Sequence, residues 1–245
     1  MKVNGAIRRQ LAPNGLLRAS INLGNPVLAR RDSPETPPYG VSIDIARALA
    51  ERLGVAVRFV VFDAASHSVD AVANDLADIG FFAIDPKRGE TIAFTDAYLH
   101  IEGWYAVHTD SPITTTREVD RPGNRVAVGR GSAYDLFLSR ELKQADIIRA
   151  PNPQAVTPLF IDQHLEVVAG VKQQLEMDMQ HFTGLRLLPE RFMVIRQAMG
   201  LAQRRGAEAR DFLAAFVEDI KGSGFVAQAL QRHDIGGAIV APLNA

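Results

Sequence analysis

Two segments of this chain carry the residue types from which a site for a small anion is built. The first is Gly80-Phe81-Phe82-Ala83-Ile84-Asp85-Pro86-Lys87-Arg88-Gly89-Glu90. Its apolar half reads as a strand and its Asp-Pro pair as the turn that ends it, so Arg88 lies just past the strand's carboxyl end. A guanidinium in that place can grip a carboxylate by two parallel hydrogen bonds. The bland alternative is a solvated arginine in a loop. Phe82 has two readings as well, a ring stacked on a ligand or a ring filling the core. The second segment is Val128-Gly129-Arg130-Gly131-Ser132-Ala133-Tyr134, a strand, a glycine turn and a helix start. Amides at a helix start and a serine hydroxyl favour an anion, and the glycines let a ligand approach the backbone. The bland alternative here is an N-capped turn.

Other chemistries are excluded by what is missing. The chain has no cysteine, which removes disulfides, thiolate metal sites and thiol nucleophiles. Its six histidines form no HExxH pair and no cluster with carboxylates at ligand spacing. The Gly129–Tyr134 turn lacks the third glycine of a dinucleotide loop, is no P-loop, and does not set Ser132 in GxSxG. The expectation is a protein without catalytic residues, metal or cofactor.

Length and charge narrow the class further. The 245 residues suit one large domain or two lobes. Lys plus Arg number 27 against 28 Asp plus Glu, which removes the electrostatic case for nucleic acid or an anionic membrane as main partner. No apolar run reaches the length of a membrane span. Met1 to Gly15 has no apolar stretch of the kind a signal peptide needs.

The elements that must position these residues alternate. Leu17–Leu23 reads as a strand, Arg30–Pro38 as a Pro-rich surface loop, and Ser42 as the N-cap of a helix through Leu53 closed by Gly54. Val55–Phe62 is a strand, Val69–Leu76 a helix and Asp78–Ile84 a strand, a βαβαβ order that predicts parallel pairing. Thr91–Thr95 and Gly103–His108 read as two further strands. The alternation then repeats through Leu201, and the chain ends in two helices broken at Gly222-Ser223-Gly224. The doubling predicts two α/β lobes with the ligand at the carboxyl ends of parallel strands, in the crevice between them.

At this point the sequence resembles the type II periplasmic solute-binding proteins, in particular the family that binds polar amino acids for ABC importers. Tyr39-Gly40-Val41-Ser42-Ile43-Asp44-Ile45 resembles that family's G-[FY]-x-[IV]-D-[LI] helix start. Asp78 through Arg88 followed by Ile92-Ala93-Phe94-Thr95-Asp96-Ala97-Tyr98 resembles its D…R…[IV]-x-F-[ST]-x-P-Y segment, and Val128–Ser132 its V-x-x-G-[ST] turn. The resemblance implies an α/β, two-lobed type II periplasmic-binding-protein fold with two hinge crossings. Lobe 1 is expected at 1–101 plus 197–245 and lobe 2 at 102–196. It implies an extracytoplasmic binding component of an ABC importer that takes an amino acid or related small carboxylate, docks on ABC permease membrane subunits, and is a periplasmic monomer. By match to the family, Arg88 grips the ligand carboxylate, while Gly131, Ser132 and Ala133 cap it. Asn22 and Asn25 reach the crevice from the first βα loop. Ala83 and Asp85 stand where Ser or Thr is common, and Gly170-Val171 where an acid often receives an ammonium. With Phe81 or Phe82 turning one ring toward the crevice, the expected ligand is a small carboxylate with an apolar or aromatic body, its α-amino group tolerated rather than required. Two rivals stand beside this reading: a cyclohexadienyl (prephenate or arogenate) dehydratase-like enzyme, and a cytosolic or receptor-linked ligand sensor.

Overall fold

The computed structural model describes residues 3–244. The chain divides into two compact units: one runs to His100 and resumes at Arg196, and the other is Ile101–Ile195. Within the first unit, helix α1 (Gly5–Leu11) precedes strand β1 (Leu16–Asn22), helix α2 (Val41–Leu53), strand β2 (Ala56–Phe62), helix α3 (Ala65–Ala73) and strand β3 (Ile79–Ala83). β1 pairs in parallel with β2 on one side and β3 on the other, as the βαβαβ order requires. α2 buries Ile45, Ala46, Leu49 and Leu53 and stops at Gly54 in the left-handed conformation. Its start differs from expectation. Gly40, not Ser42, is the N-cap, and no side chain caps the helix. The chain enters α2 at a φ of 129°, pressed so close to Leu28 that a Cβ on Gly40 would lie 2.7 Å from its carbonyl oxygen. Ser42 falls inside the helix and its N–H donates to that same carbonyl at 2.9 Å.

After the four-residue helix α4 (Pro86–Gly89), strand β4 runs unbroken from Ile92 to His108. Two separate strands are expected from the sequence there. β4 is one strand because it changes partners along its length: Leu99 and His100 pair with the short C-terminal strand β10 (Ile239–Val240) in the first unit, and Gly103–Ala106 pair with β7 (Val167–Val171) in the second. The chain returns through β9 (Met193–Ala202), whose later half lies antiparallel to β3. Helices α8 (Ala207–Gly222) and α9 (Phe225–Arg232) complete the first unit.

The second unit repeats the scheme. Strands β5 (Arg125–Gly129) and β6 (Asp146–Ala150) are parallel, β5 is parallel to β7, and the short β8 (Leu185–Leu187) pairs with the end of β4. Helices α5 (Ala133–Glu141), α6 (Val156–Asp162) and α7 (Lys172–His181) connect them. The sheet is buried on both faces, as parallel sheets are. Val126, Val128 and Val167 join Tyr105, Tyr134 and Leu138 on one side, while Ala127 and Val168 join Phe160 and Leu175 on the other.

One polar group anchors the first unit. Asp78, fully buried ahead of β3, accepts from Arg18 N (2.8 Å), Nε (3.1 Å) and Nη2 (2.7 Å) and from Arg205 Nη2 (3.1 Å). This ties the start of β3 to β1 and to the turn before α8. No helix among the described residues is long and apolar enough to cross a membrane.

Candidate functional site

In the first unit the site is built where β3 ends. Ile84 N–H donates to Arg196 O at 2.8 Å, which pins the strand end to β9. Asp85 then leaves the strand and caps α4: its Oδ1 accepts from Lys87 N at 2.9 Å, with Pro86 at the first helical position. This single turn swings Arg88 back over the strand. Its Nη1 donates to Ala83 O at 3.2 Å, and the residue is only 6% exposed. Burial lowers the guanidinium pKa to about 10, outweighing the opposing pull of the Asp85 carboxylate. A solvated loop arginine is therefore ruled out.

Phe82 belongs to the core. Its ring packs with Val69, Val72, Ala77 and Ile92 beneath α3. It also lies across Gly80 and Gly200, which face each other in the β3–β9 ladder. A Cβ on Gly80 would come 2.1 Å from the ring. Strand alternation then sends Phe81 and Ala83 to the other face. There Phe81 meets Tyr98 edge-on, with centroids 6.2 Å apart. Gln197, opposite Ala83, shares this face and is absent from the residues singled out in the sequence.

Asn22 and Asn25 use their side-chain oxygens on the turn after β1. Asn22 Oδ1 accepts from Gly24 N at 2.9 Å, and Asn25 Oδ1 from Val27 N at 3.2 Å.

In the second unit the turn after β5 is capped from within. Ser132 is the N-cap of α5 and its Oγ accepts from Asp135 N at 3.0 Å. Gly131 N–H donates to Asp135 Oδ2 at 2.8 Å, and Asp135 Oδ1 is held by Arg149 Nε at 2.9 Å. A hydroxyl accepts and donates at once, and the Ser132 hydroxyl also meets the Tyr134 phenol. Ala133 opens the helix. Gly170 sits in β7 opposite Trp104, and a Cβ there would lie 3.2 Å from Leu175 Cγ and Cδ2. Any side chain at this position points at the Leu175 cluster.

Among the described residues, no group of three or more His, Asp or Glu side chains could hold a metal ion. The sequence profile of the bacterial extracellular solute-binding proteins, family 3, matches residues 24–235. The chain belongs to this family. No curated protein matches the sequence. Several solved structures share the two-lobed fold. An arginine-binding protein variant (the P235GK mutant of ArgBP) from T. maritima superposes with a TM-score of 0.78 at 17% identity, over 94% of this chain and 99% of that one. A binding component of an ABC transporter from Wolinella succinogenes, complexed with lysine, gives 0.76 at 16% identity over 89% and 95%. A histidine kinase sensor domain gives 0.78 at 17% identity over 92% and 98%. At these identities the likeness establishes the fold alone. Within the family 3 fold, the buried Arg88 turn closes the carboxyl end of a parallel strand, the place where open α/β sheets receive ligands.

Proposed function

We propose that this family 3 protein is the extracytoplasmic binding component of an ABC importer. It takes an amino acid or related small carboxylate, without chemical conversion, and its closure on the ligand is what the permease reads. One observation carries the ligand class: Arg88 is a buried cation held over the end of β3 by the Asp85-capped turn. A cation in that setting strongly favours an anionic partner, and its planar fork suits a carboxylate. In the first unit Ala83, Asp85, Asn22 and Asn25 are the candidate contacts that accompany Arg88; in the second unit the Gly131–Ala133 turn with Ser132 and, further on, Gly170 are the candidates, each unit taken by itself. Structures with the same fold that hold lysine, L-arginine and glutamine support the class.

A second reading, ligand sensing, is favoured by the sensor-domain neighbour. Both readings share one site and differ in the membrane partner. Mass spectrometry of ligand released from purified protein, followed by a thermal-shift screen of amino acids and small carboxylates, tests the class. A carboxylate that raises Tm supports it; nucleosides or neutral sugars as sole hits refute it. Co-purification with permease subunits or with a kinase separates transport from sensing. Turnover of prephenate or arogenate above a heat-killed control would show an enzyme instead.

A further inference from the structure

We propose that Gln197 is a second ligand contact in the first unit, an acceptor for a hydrogen-bond donor carried on the carbon next to the carboxylate. The inference rests on the assignment of that carboxylate to Arg88. Gln197 is 4% exposed, and its Oε1 is sealed from solvent with no hydrogen-bond partner among the described residues. A buried amide oxygen without a partner is costly, and a strand interior has no structural need for one. Its two neighbours on the same face of β9, Ile195 and Met199, are apolar and buried, while the adjacent Arg196 faces solvent. An apolar side chain would fit that row better, so the amide answers to something other than packing.

Its position says what. Gln197 lies directly opposite Ala83 in the ladder, and directly opposed residues point to the same face. The Ala83 carbonyl is the group that Arg88 Nη1 touches. The unmet acceptor and the buried cation are therefore neighbours across one strand pair. A ligand whose carboxylate meets Arg88 presents its α-substituent to Gln197. An acceptor requires a donor there, an ammonium or a hydroxyl. Because the amide is neutral, it distinguishes a donor from no donor and discriminates little between the two donors. This fits a second unit in which the Gly170 position faces Leu175.

Calorimetry tests the assignment with three matched probes: the amino acid giving the largest thermal shift among the common twenty, its 2-hydroxy acid, and the unsubstituted acid. The proteins are wild type, Gln197→Met and Arg88→Met. In wild type, the amino and hydroxy acids should bind within about fivefold of each other, and the unsubstituted acid about tenfold more weakly. Gln197→Met should bind all three alike, at the weakest level. Arg88→Met should lose all three. Ligand-free Gln197→Met should melt at or above the wild-type temperature, because an unmet buried amide is replaced by an apolar chain of similar volume. An unchanged ratio in Gln197→Met, with binding lost in Arg88→Met, overturns this inference alone. A Gln197→Met Tm lower by several degrees does so too, since it makes the amide part of the fold. An amino acid favoured more than a hundredfold over its hydroxy acid overturns it by demanding a charged acceptor. Retained binding in Arg88→Met overturns the carboxylate assignment, and this inference with it.

Discussion

Replacing Arg88 by methionine should stabilise the ligand-free protein while destroying its binding. Burial brings the guanidinium from its ordinary value down to about 10, a shift that corresponds to about 3 kcal/mol held against the charged form. Methionine fills a similar space without that charge. Against this gain stand the polar contacts of Arg88, among them the hydrogen bond to Ala83 O, a loss of about 1–2 kcal/mol. The difference favours the variant by about 1–2 kcal/mol, a rise of roughly 2–8 °C in Tm for a protein of this size. Binding moves the other way. Truncating one side of a desolvated charge pair loses about 2–5 kcal/mol of affinity. Arg88→Lys should recover only part of it, because an ammonium cannot offer the planar fork. Differential scanning calorimetry of ligand-free protein and isothermal titration with the identified ligand measure the two halves separately. An Arg88→Met protein that melts several degrees lower yet binds as wild type would refute the reasoning: Arg88 would then be a structural ion, and burial would not be the dominant influence on it.

Asp78→Asn should be among the most damaging single changes, because it removes the charge that Arg18 and Arg205 share in a fully buried position; a loss of about 3–5 kcal/mol in urea unfolding at constant m is expected. His100 carries a pH dependence. Burial, Arg196 and Lys221 lower its pKa from 6.5, with Lys221 itself paired to Glu218. The folded protein thus binds fewer protons at His100 than the unfolded chain does. That part of the stability is complete above pH 6.5 and falls as the pH drops through 6.5 toward the folded pKa. Melting temperature against pH should therefore have a shallower acid limb in His100→Gln than in wild type, and identical limbs would show that His100 does not contribute. Gly170→Asp should destabilise by about 1–3 kcal/mol by forcing a carboxylate against Leu175; a calorimetric scan showing unchanged stability would mean that the side chain escapes to solvent.

The alternation of elements was legible because each crossover carries its own signals. The apolar stripe of α2 with Gly54 behind it, and the dense β-branched run of β2, left little choice of period. β4 was not legible as one strand. Its middle carries Asp96, His100 and Glu102, three polar residues between the two apolar runs, where the strand changes neighbours. Arg88 was legible as chemistry but not as a buried group, since burial depends on a single turn capped by Asp85. The order of Phe81 and Phe82 shows the same limit. Alternation guarantees that the two rings face opposite ways, but which one enters the core depends on the face that α3 covers and on the paired glycines at 80 and 200. Gln197 had no distinct signal, since it follows Arg196 in a strand of otherwise apolar residues, and it gains meaning only from the register that sets it opposite Ala83.

Elsewhere in the first unit, some interior polar groups are matched and others, such as the Ser42 and Tyr98 hydroxyls, are not. Asp78 has its arginines, and Ser20 Oγ meets Ser68 Oγ at 2.7 Å. The end of β3 puts a buried cation and an amide oxygen with no hydrogen-bond partner on the two sides of one ladder position. An unmet buried amide lowers the stability of the ligand-free protein and strengthens the complex, because a ligand that satisfies it recovers free energy that folding left unrealised. The geometry also limits what is gained. A neutral acceptor beside a cation rewards a carboxylate strongly and its α-substituent modestly. Affinity should therefore depend first on the acid group, second on the presence of any donor beside it, and only then on the body of the ligand.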